Sequence, residues 1–147
     1  MMYITSINIK EEKKGKVRAV EEAYLQEGKG LVNDINSRGG EKEVSILTFE
    51  GREQIGDSKE GICMKRFYGN VEIKGLDVES LAIGQRLKID NTILEITVIG
   101  KECFPECNLL KRGEICPLPT SVAFARVVEG GIIQIGNKVD IEEEAQK

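Results

Sequence analysis

Arg86-Leu87-Lys88-Ile89-Asp90-Asn91-Thr92-Ile93-Leu94-Glu95-Ile96-Thr97-Val98 is the stretch that decides the architecture. Leu87 and Ile89 alternate with Arg86 and Lys88, and Leu94, Ile96 and Val98 alternate with Glu95 and Thr97. Successive side chains of a strand point to opposite faces, so the alternation predicts two strands that each bury one face. Asp90-Asn91 supplies a two-residue turn between them, and the whole reads as a β-hairpin.

Working outward, Ala123 to Glu129 runs up to Gly130-Gly131, and Ile132 to Ile135 runs on from it. Two glycines can take the positive φ angles of a tight turn, which predicts a second hairpin. Val44-Ser45-Ile46-Leu47-Thr48 is a short β-branched, apolar run, read as a buried strand. Residues 49–55 are read as a short helix capped near Thr48. Ile83-Gly84-Gln85-Arg86-Leu87-Lys88-Ile89 resembles Ile135-Gly136-Asn137-Lys138-Val139-Asp140-Ile141, each a turn at glycine leading into a strand. Seven residues are too few for a repeat architecture. In residues 17–36 the spacing of Val20, Tyr24 and Leu25 leans toward helix, interrupted by Gly28 and Gly30. Arg38-Gly39-Gly40 is expected to be a loop. Residues 1–141 read as one domain, and 142–147, rich in Glu, as an acidic, flexible tail. Short, closely spaced strands with few helices predict a mainly β, barrel-like fold.

Composition narrows the chemistry. The 147 residues are 40% hydrophobic and 31% charged, the balance of a globular chain with a core of its own. Twenty-one basic against 25 acidic side chains give a net charge of -4, which provides no overall attraction to nucleic acid. Aromatics are 5% and Trp is absent, so base-stacking platforms are not expected. There is no histidine, which excludes Ser-His, Cys-His and His-metal chemistry within one chain. A general acid or base must then be a carboxylate, Lys, Tyr or Cys. No apolar run approaches the ~20 residues of a membrane helix. Met1 to Lys10 lacks the pattern of a signal peptide, so a cytoplasmic, reducing location without membrane contact is expected.

Three of the four cysteines share one segment. Cys103-Phe104-Pro105-Glu106-Cys107 is followed, after eight residues, by Cys116-Pro117-Leu118-Pro119, with Cys63 far away. Three readings stand side by side. Free cysteines are often buried small hydrophobes. Four thiolates can hold a structural zinc, although Cys63 and Cys116 make no second close pair. A thiolate can also bind a soft metal or carry sulfur, and Lys101, Lys111 and Arg112 nearby favour the ionised form.

Taken together, the motifs resemble the MOSC domain, named for the C-terminal domain of molybdenum-cofactor sulfurase. The resemblance runs through Gly30-Leu31-Val32-Asn33-Asp34, Glu43-Val44-Ser45-Ile46-Leu47 and Arg66-Phe67-Tyr68-Gly69-Asn70-Val71. It continues through Gly75-Leu76-Asp77-Val78, Leu81 to Leu87, and Leu94-Glu95-Ile96-Thr97, with Cys103 at the family's characteristic cysteine. It closes on Ala123-Phe124-Ala125-Arg126-Val127 and Gly131 to Gly136. The small stand-alone bacterial type is the nearest in pattern, since its Cys-x-x-x-Cys and Cys-Pro-x-Pro elements recur together. The chain departs from the family at three places: Asn33 precedes Asp34 where a glycine is usual, Asn36 stands at the first histidine position, and Lys42 stands where an arginine is usual.

The resemblance implies a MOSC-type β-barrel and dealings with the molybdenum cofactor, an anionic pterin phosphate. It implies sulfur relay, or molybdenum ligation, by Cys103, with Cys107 and Cys116 as assisting thiols. Arg66, Lys42, Lys101 and Arg126 are the candidate phosphate-holding cations, with Asp34 and Asn70 as further cofactor contacts. Implied partners are the cofactor itself, a molybdoenzyme acceptor and a cysteine desulfurase donor. Alternatives are a non-catalytic cofactor carrier, a reductase of N-hydroxylated compounds, and a four-cysteine zinc-stabilised domain. Nothing in the sequence points to pyridoxal phosphate, which full-length sulfurases carry on a separate domain.

Overall fold

The computed structural model describes residues 2–11, 16–34, 43–51, 69–100 and 122–142. These form β1 (Met2–Ile9), β2 (Arg18–Val20), β3 (Glu22–Gln26), β4 (Gly30–Leu31), β5 (Val44–Thr48) and β6 (Val71–Lys74). They continue as β7 (Arg86–Ile89), β8 (Thr92–Ile99), β9 (Val122–Glu129), β10 (Gly131–Gln134) and β11 (Lys138–Glu142). The neighbours run β11-β7-β8-β9-β5-β6-β1, and β11 pairs back with β1, so seven strands close into a barrel. Closure leaves no exposed edge in the ring, which is how an all-β chain avoids open strand pairing. β2 attaches outside the ring to β1, and β10-β3-β4 form a second, three-stranded sheet. The mainly β barrel expected from the sequence is what the chain adopts.

The hairpin that opened the sequence argument is present in register, with Leu87 opposite Leu94 and Ile89 opposite Thr92. Asp90 takes φ +53 at its turn, a left-handed conformation that Asp tolerates better than most residues. The register shifts between Ile96 and Val98, a bulge that adds one residue. Beyond it the alternation inverts: Ile99 packs against the core, while Val98 does not join it.

Val44–Thr48 is buried throughout and pairs parallel to β6 and antiparallel to β9. Residues 49–51 are helical, and Thr48 Oγ1 accepts the Gly51 N–H at 2.9 Å, the predicted cap. The rest of that predicted helix and the Arg38-Gly39-Gly40 loop lie outside the described residues. One short 3-10 turn covers Val78–Ser80, capped by Asp77.

Two expectations are corrected. The leaning toward helix in residues 17–36 gives way to β2, β3 and β4. Here Leu25 reaches full burial by pairing across to Gly131 and Leu31, a tertiary gain that outweighs propensity. Gly130-Gly131 does not fold β10 back on β9. β9 pairs with β5 and β8, and β10 pairs with β3. A Cβ on Gly130 would lie 2.4 Å from the Leu25 carbonyl oxygen, so the glycine lets the chain step between sheets at close range.

The seven-residue self-similarity has a structural counterpart. Gly84 and Gly136 have φ +93 and +94. Gly84 N–H donates to Ile96 C=O and Ile96 N–H to Gln85 C=O, while Gly136 N–H donates to Ile4 C=O and Ile4 N–H to Asn137 C=O. Gln85 Oε1 accepts Ala82 N–H and Asn137 Oδ1 accepts Gln134 N–H. The strands that follow, β7 and β11, pair with each other. The barrel interior holds Ile4, Ile7, Ile46, Ile73, Leu87, Leu94 and Ile96, joined by Leu25, Leu31 and Ile133 from the small sheet.

Candidate functional site

β1, β5 and β6 meet at a corner built from buried polar side chains. Asn70, fully buried, is its centre. Its Oδ1 accepts Ser45 N–H at 3.0 Å and Ser45 Oγ at 3.1 Å, and its Nδ2 donates to Asn8 C=O at 3.0 Å. Asn8 Nδ2 in turn donates to Gly69 C=O at 2.9 Å and to Glu72 Oε2 at 3.4 Å. A Cβ on Gly69 would come within 2.7 Å of Leu47 Cβ, so the residue before Asn70 has to be small. Polar groups removed from water must be paired, and here all are: no buried side-chain polar atom lacks a partner among the described residues.

Two more carboxylates frame the corner. Asp34 is 5% exposed, and its Oδ1 accepts Lys10 N–H at 2.9 Å, tying the end of the Gly30-to-Asp34 segment to the end of β1. Glu43 is 3% exposed, and its Oε1 accepts Val127 N–H at 2.9 Å. Gly30, at φ +126, allows the backbone of Glu43 to approach to a distance no Cβ would permit.

Of the sequence-predicted site residues, Asn70 is the centre of this corner, and Asp34 is tied to Lys10, two residues beyond Asn8. Arg126 is not at the corner. It stands on the outer surface of β9, its side chain about half exposed, with Nε bonded to Glu95 Oε1 at 2.6 Å. Arg86 lies on the other side of Glu95 at 3.8 Å, so the three make one cross-strand row. Cys103, Cys107, Cys116, Lys42, Arg66 and Lys101 lie outside the described residues. The segment bearing the three cysteines joins β8 to β9, where Gly100 N–H bonds Val122 C=O at 2.7 Å. Val122 sits opposite Leu47, two residues along β5 from Ser45, which is about 7 Å at strand rise. Among the described residues no group of His, Cys, Asp or Glu could hold a metal ion.

Sequence reasoning did not single out Asn8, Ser45, Glu43 and Glu72 as buried, paired side chains. Asn8, Ser45 and Glu72 are polar side chains inside strands, and only strand pairing shows that they come together; Glu43, just before β5, reaches Val127 of β9 instead. Sequence reasoning also missed a groove of about 350 Å³ lined by Ile9, Arg18, Val20, Tyr24, Val32 and Ile132 among others.

No protein-family model matches this sequence, and no curated protein matches it. Solved structures do. The chain is similar to the YuaD protein from Bacillus subtilis, with a TM-score of 0.69 at 15% identity over 96% of each chain. It is similar to YiiM from Geobacillus stearothermophilus, with a TM-score of 0.64 at 17% identity over 97% of this chain and 76% of that one. YiiM from Escherichia coli gives 0.62 at 12% identity, over 100% and 72%. At such identities the likeness is one of fold. No helix among the described residues is long and apolar enough to cross a membrane.

Proposed function

We propose that this chain is a MOSC-type protein of the cytoplasm that binds the molybdenum cofactor, or relays sulfur to it, through Cys103. The observation that carries the reading is convergence. The Gly30-to-Asp34, Glu43-to-Leu47 and Gly69-Asn70 segments, each matched to the family by sequence, meet at one corner of the barrel. The fold likeness to YuaD and YiiM supports the barrel on which the reading depends.

The corner's chemistry defines what its described residues can contribute. Asp34, Glu43 and Glu72 are carboxylates already engaged inside the fold, and Arg126 is paired with Glu95 on the outside. An anionic pterin phosphate needs cations, so these residues do not by themselves make its site. Their part is to fix the strand ends that lead to Lys42 and Arg66, which with Lys101 would supply the charge. For relay, the Cys103 thiolate attacks the outer sulfur of a donor persulfide. The donor leaves as a thiolate, and Cys103 becomes the persulfide, with no net change in electrons or protons. Cys107 and Cys116 would be the thiols that receive that sulfur or resolve it.

The test is metal and pterin content of protein freshly purified from a host that makes molybdenum cofactor, on wild type and Cys103→Ser together. Molybdenum and pterin near one per chain, with the metal lost in the variant, support ligation by Cys103. Persulfide on the wild type alone, after incubation with a cysteine desulfurase and cysteine, supports relay. Stoichiometric zinc in wild type, with chelators unfolding the chain, would replace this reading by a structural metal site.

A further inference from the structure

We infer that the outer edge of β2 is a docking site for an extended segment of a partner protein, one that alternates apolar and basic side chains. The inference stands apart from the cofactor reading, because neither the open backbone of Ala19 nor the carboxylates of Glu21 and Glu22 belong to the polar corner or to the cysteine segment.

Asn8 N–H donates to Asn70 C=O at 2.9 Å, so the peptide groups of Asn8 turn toward β6. Ala19 lies opposite Asn8 on β2. In an antiparallel ladder a residue bonded on one side is not bonded on the other, so the N–H and C=O of Ala19 face away from β1. Two residues on, Glu21 C=O points to the same edge and accepts Ile135 N–H at 3.0 Å. That bond is the last rung between this edge and the β10 side. Gly136, at φ +94, then turns the chain off toward Ile4. The edge is thus paired as far as Glu21 and open at Ala19, whose backbone has no partner on this side among the described residues. A strand laid along the line of β10 would continue a ladder that the chain itself interrupts.

The side chains around the edge indicate what such a strand carries. Five large hydrophobic residues are exposed among the described residues, and four of them lie on or next to β2, β3 and β10: Val17 just before β2, Tyr24 on β3, Ile132 on β10 and Ile135 just after it. Tyr24 and Ile132 sit directly opposite each other, and both line the groove of about 350 Å³ with Val20. Clustered apolar exposure of this kind marks an interaction surface. A second groove of about 380 Å³, lined by Glu21, Glu22, Gln134 and Ile135, lies where β10 departs. The one base lining the first groove, Arg18, is paired with Glu11 at 3.4 Å. The charge lining the second groove is that of the two carboxylates, which a Lys or Arg beside an apolar anchor complements.

The experiment uses the full chain and a fluorescein-labelled nonapeptide that alternates Val and Leu with Lys, followed by fluorescence anisotropy. Two counterparts accompany it: one with Glu for every Lys, and one N-methylated at alternate backbone amides. The expected result is saturable binding of the Lys peptide, at least tenfold weaker for both counterparts. Ala19→Pro, which removes the open N–H, and Glu21→Lys with Glu22→Lys should each weaken it at least fivefold, with thermal unfolding little changed. Equal binding of the N-methylated peptide to wild type would overturn strand pairing without recourse to any variant. Equal binding of the Glu peptide, or no saturable binding, would overturn the partner chemistry. A concentration-dependent dimer that Ala19→Pro converts to monomer would overturn it in favour of a second copy of this chain.

Discussion

Asn70 joins three strands through one carboxamide: it belongs to the start of β6, accepts from Ser45 of β5 and donates to Asn8 of β1. Asn70→Ala would remove the oxygen that accepts Ser45 N–H and the amide that donates to the buried Asn8 C=O. Losing a buried hydrogen-bond partner costs about 1–3 kcal/mol per group, so a loss of about 2–6 kcal/mol is expected in urea unfolding. A loss below about 0.5 kcal/mol would mean that the network relaxes around the gap. Arg126→Ala should differ in kind. Arg126 is half exposed on the outside of the barrel, and ion pairs of exposed side chains contribute roughly 0–1 kcal/mol, so the midpoint should barely move. The contrast shows what the sequence could and could not disclose about the site. Asn70 and Arg126 both sat in matched motifs, yet one is a buried tie and the other an outward-facing charge. Residue type and motif position do not carry that distinction; the partner strands do.

Elements were legible where their pairing is local. The β7–β8 hairpin was readable because alternation, a two-residue turn and the partner strand all fall within about a dozen residues. β5 was readable because a short apolar run fits a strand covered on both faces. The small sheet was not, because β3 finds β10 more than a hundred residues away (Gln134 Nε2 and Glu22 Oε1 are separated by 112 positions). Gly130-Gly131 offered the same signal for a hairpin as for a crossing between sheets. The crossing predicts its own sensitivity. Gly130→Ala puts a methyl against the Leu25 carbonyl, which cannot move without disturbing β3. The expected outcome is a loss of about 1–3 kcal/mol, with amide-exchange protection falling first at Ala23 and Leu25. Uniform loss of protection over the whole chain, or none, would contradict a local step between sheets.

At the scale of the whole molecule the barrel closes where β11 meets β1, and closure there is thin. The β1–β11 pairing spans two residues on each strand, Met2 with Val139 and Tyr3 with Lys138, whereas β8 and β9 share six registered pairs. Two further backbone bonds, between Ile4 and the turn at Gly136-Asn137, reinforce it. The turns leading into β7 and β11 are built alike, with Gln85 and Asn137 capping the N–H three residues back at 3.1 and 2.7 Å. Only the second turn borders the closure. Removing either cap should cost about 1 kcal/mol by the measure of comparable side-chain caps, but the two losses should fall in different places. Asn137→Ala should raise hydrogen exchange at Ile4 and Val139 while β8 and β9 keep their protection. Gln85→Ala should raise it at Ile96 and leave Ile4 unchanged. If both variants loosen the same amides, the barrel opens as one unit and the β1–β11 closure is no weaker than the rest. If Asn137→Ala alone exposes Ile4, the ring has a defined place of opening, set by a two-residue pairing and one amide cap.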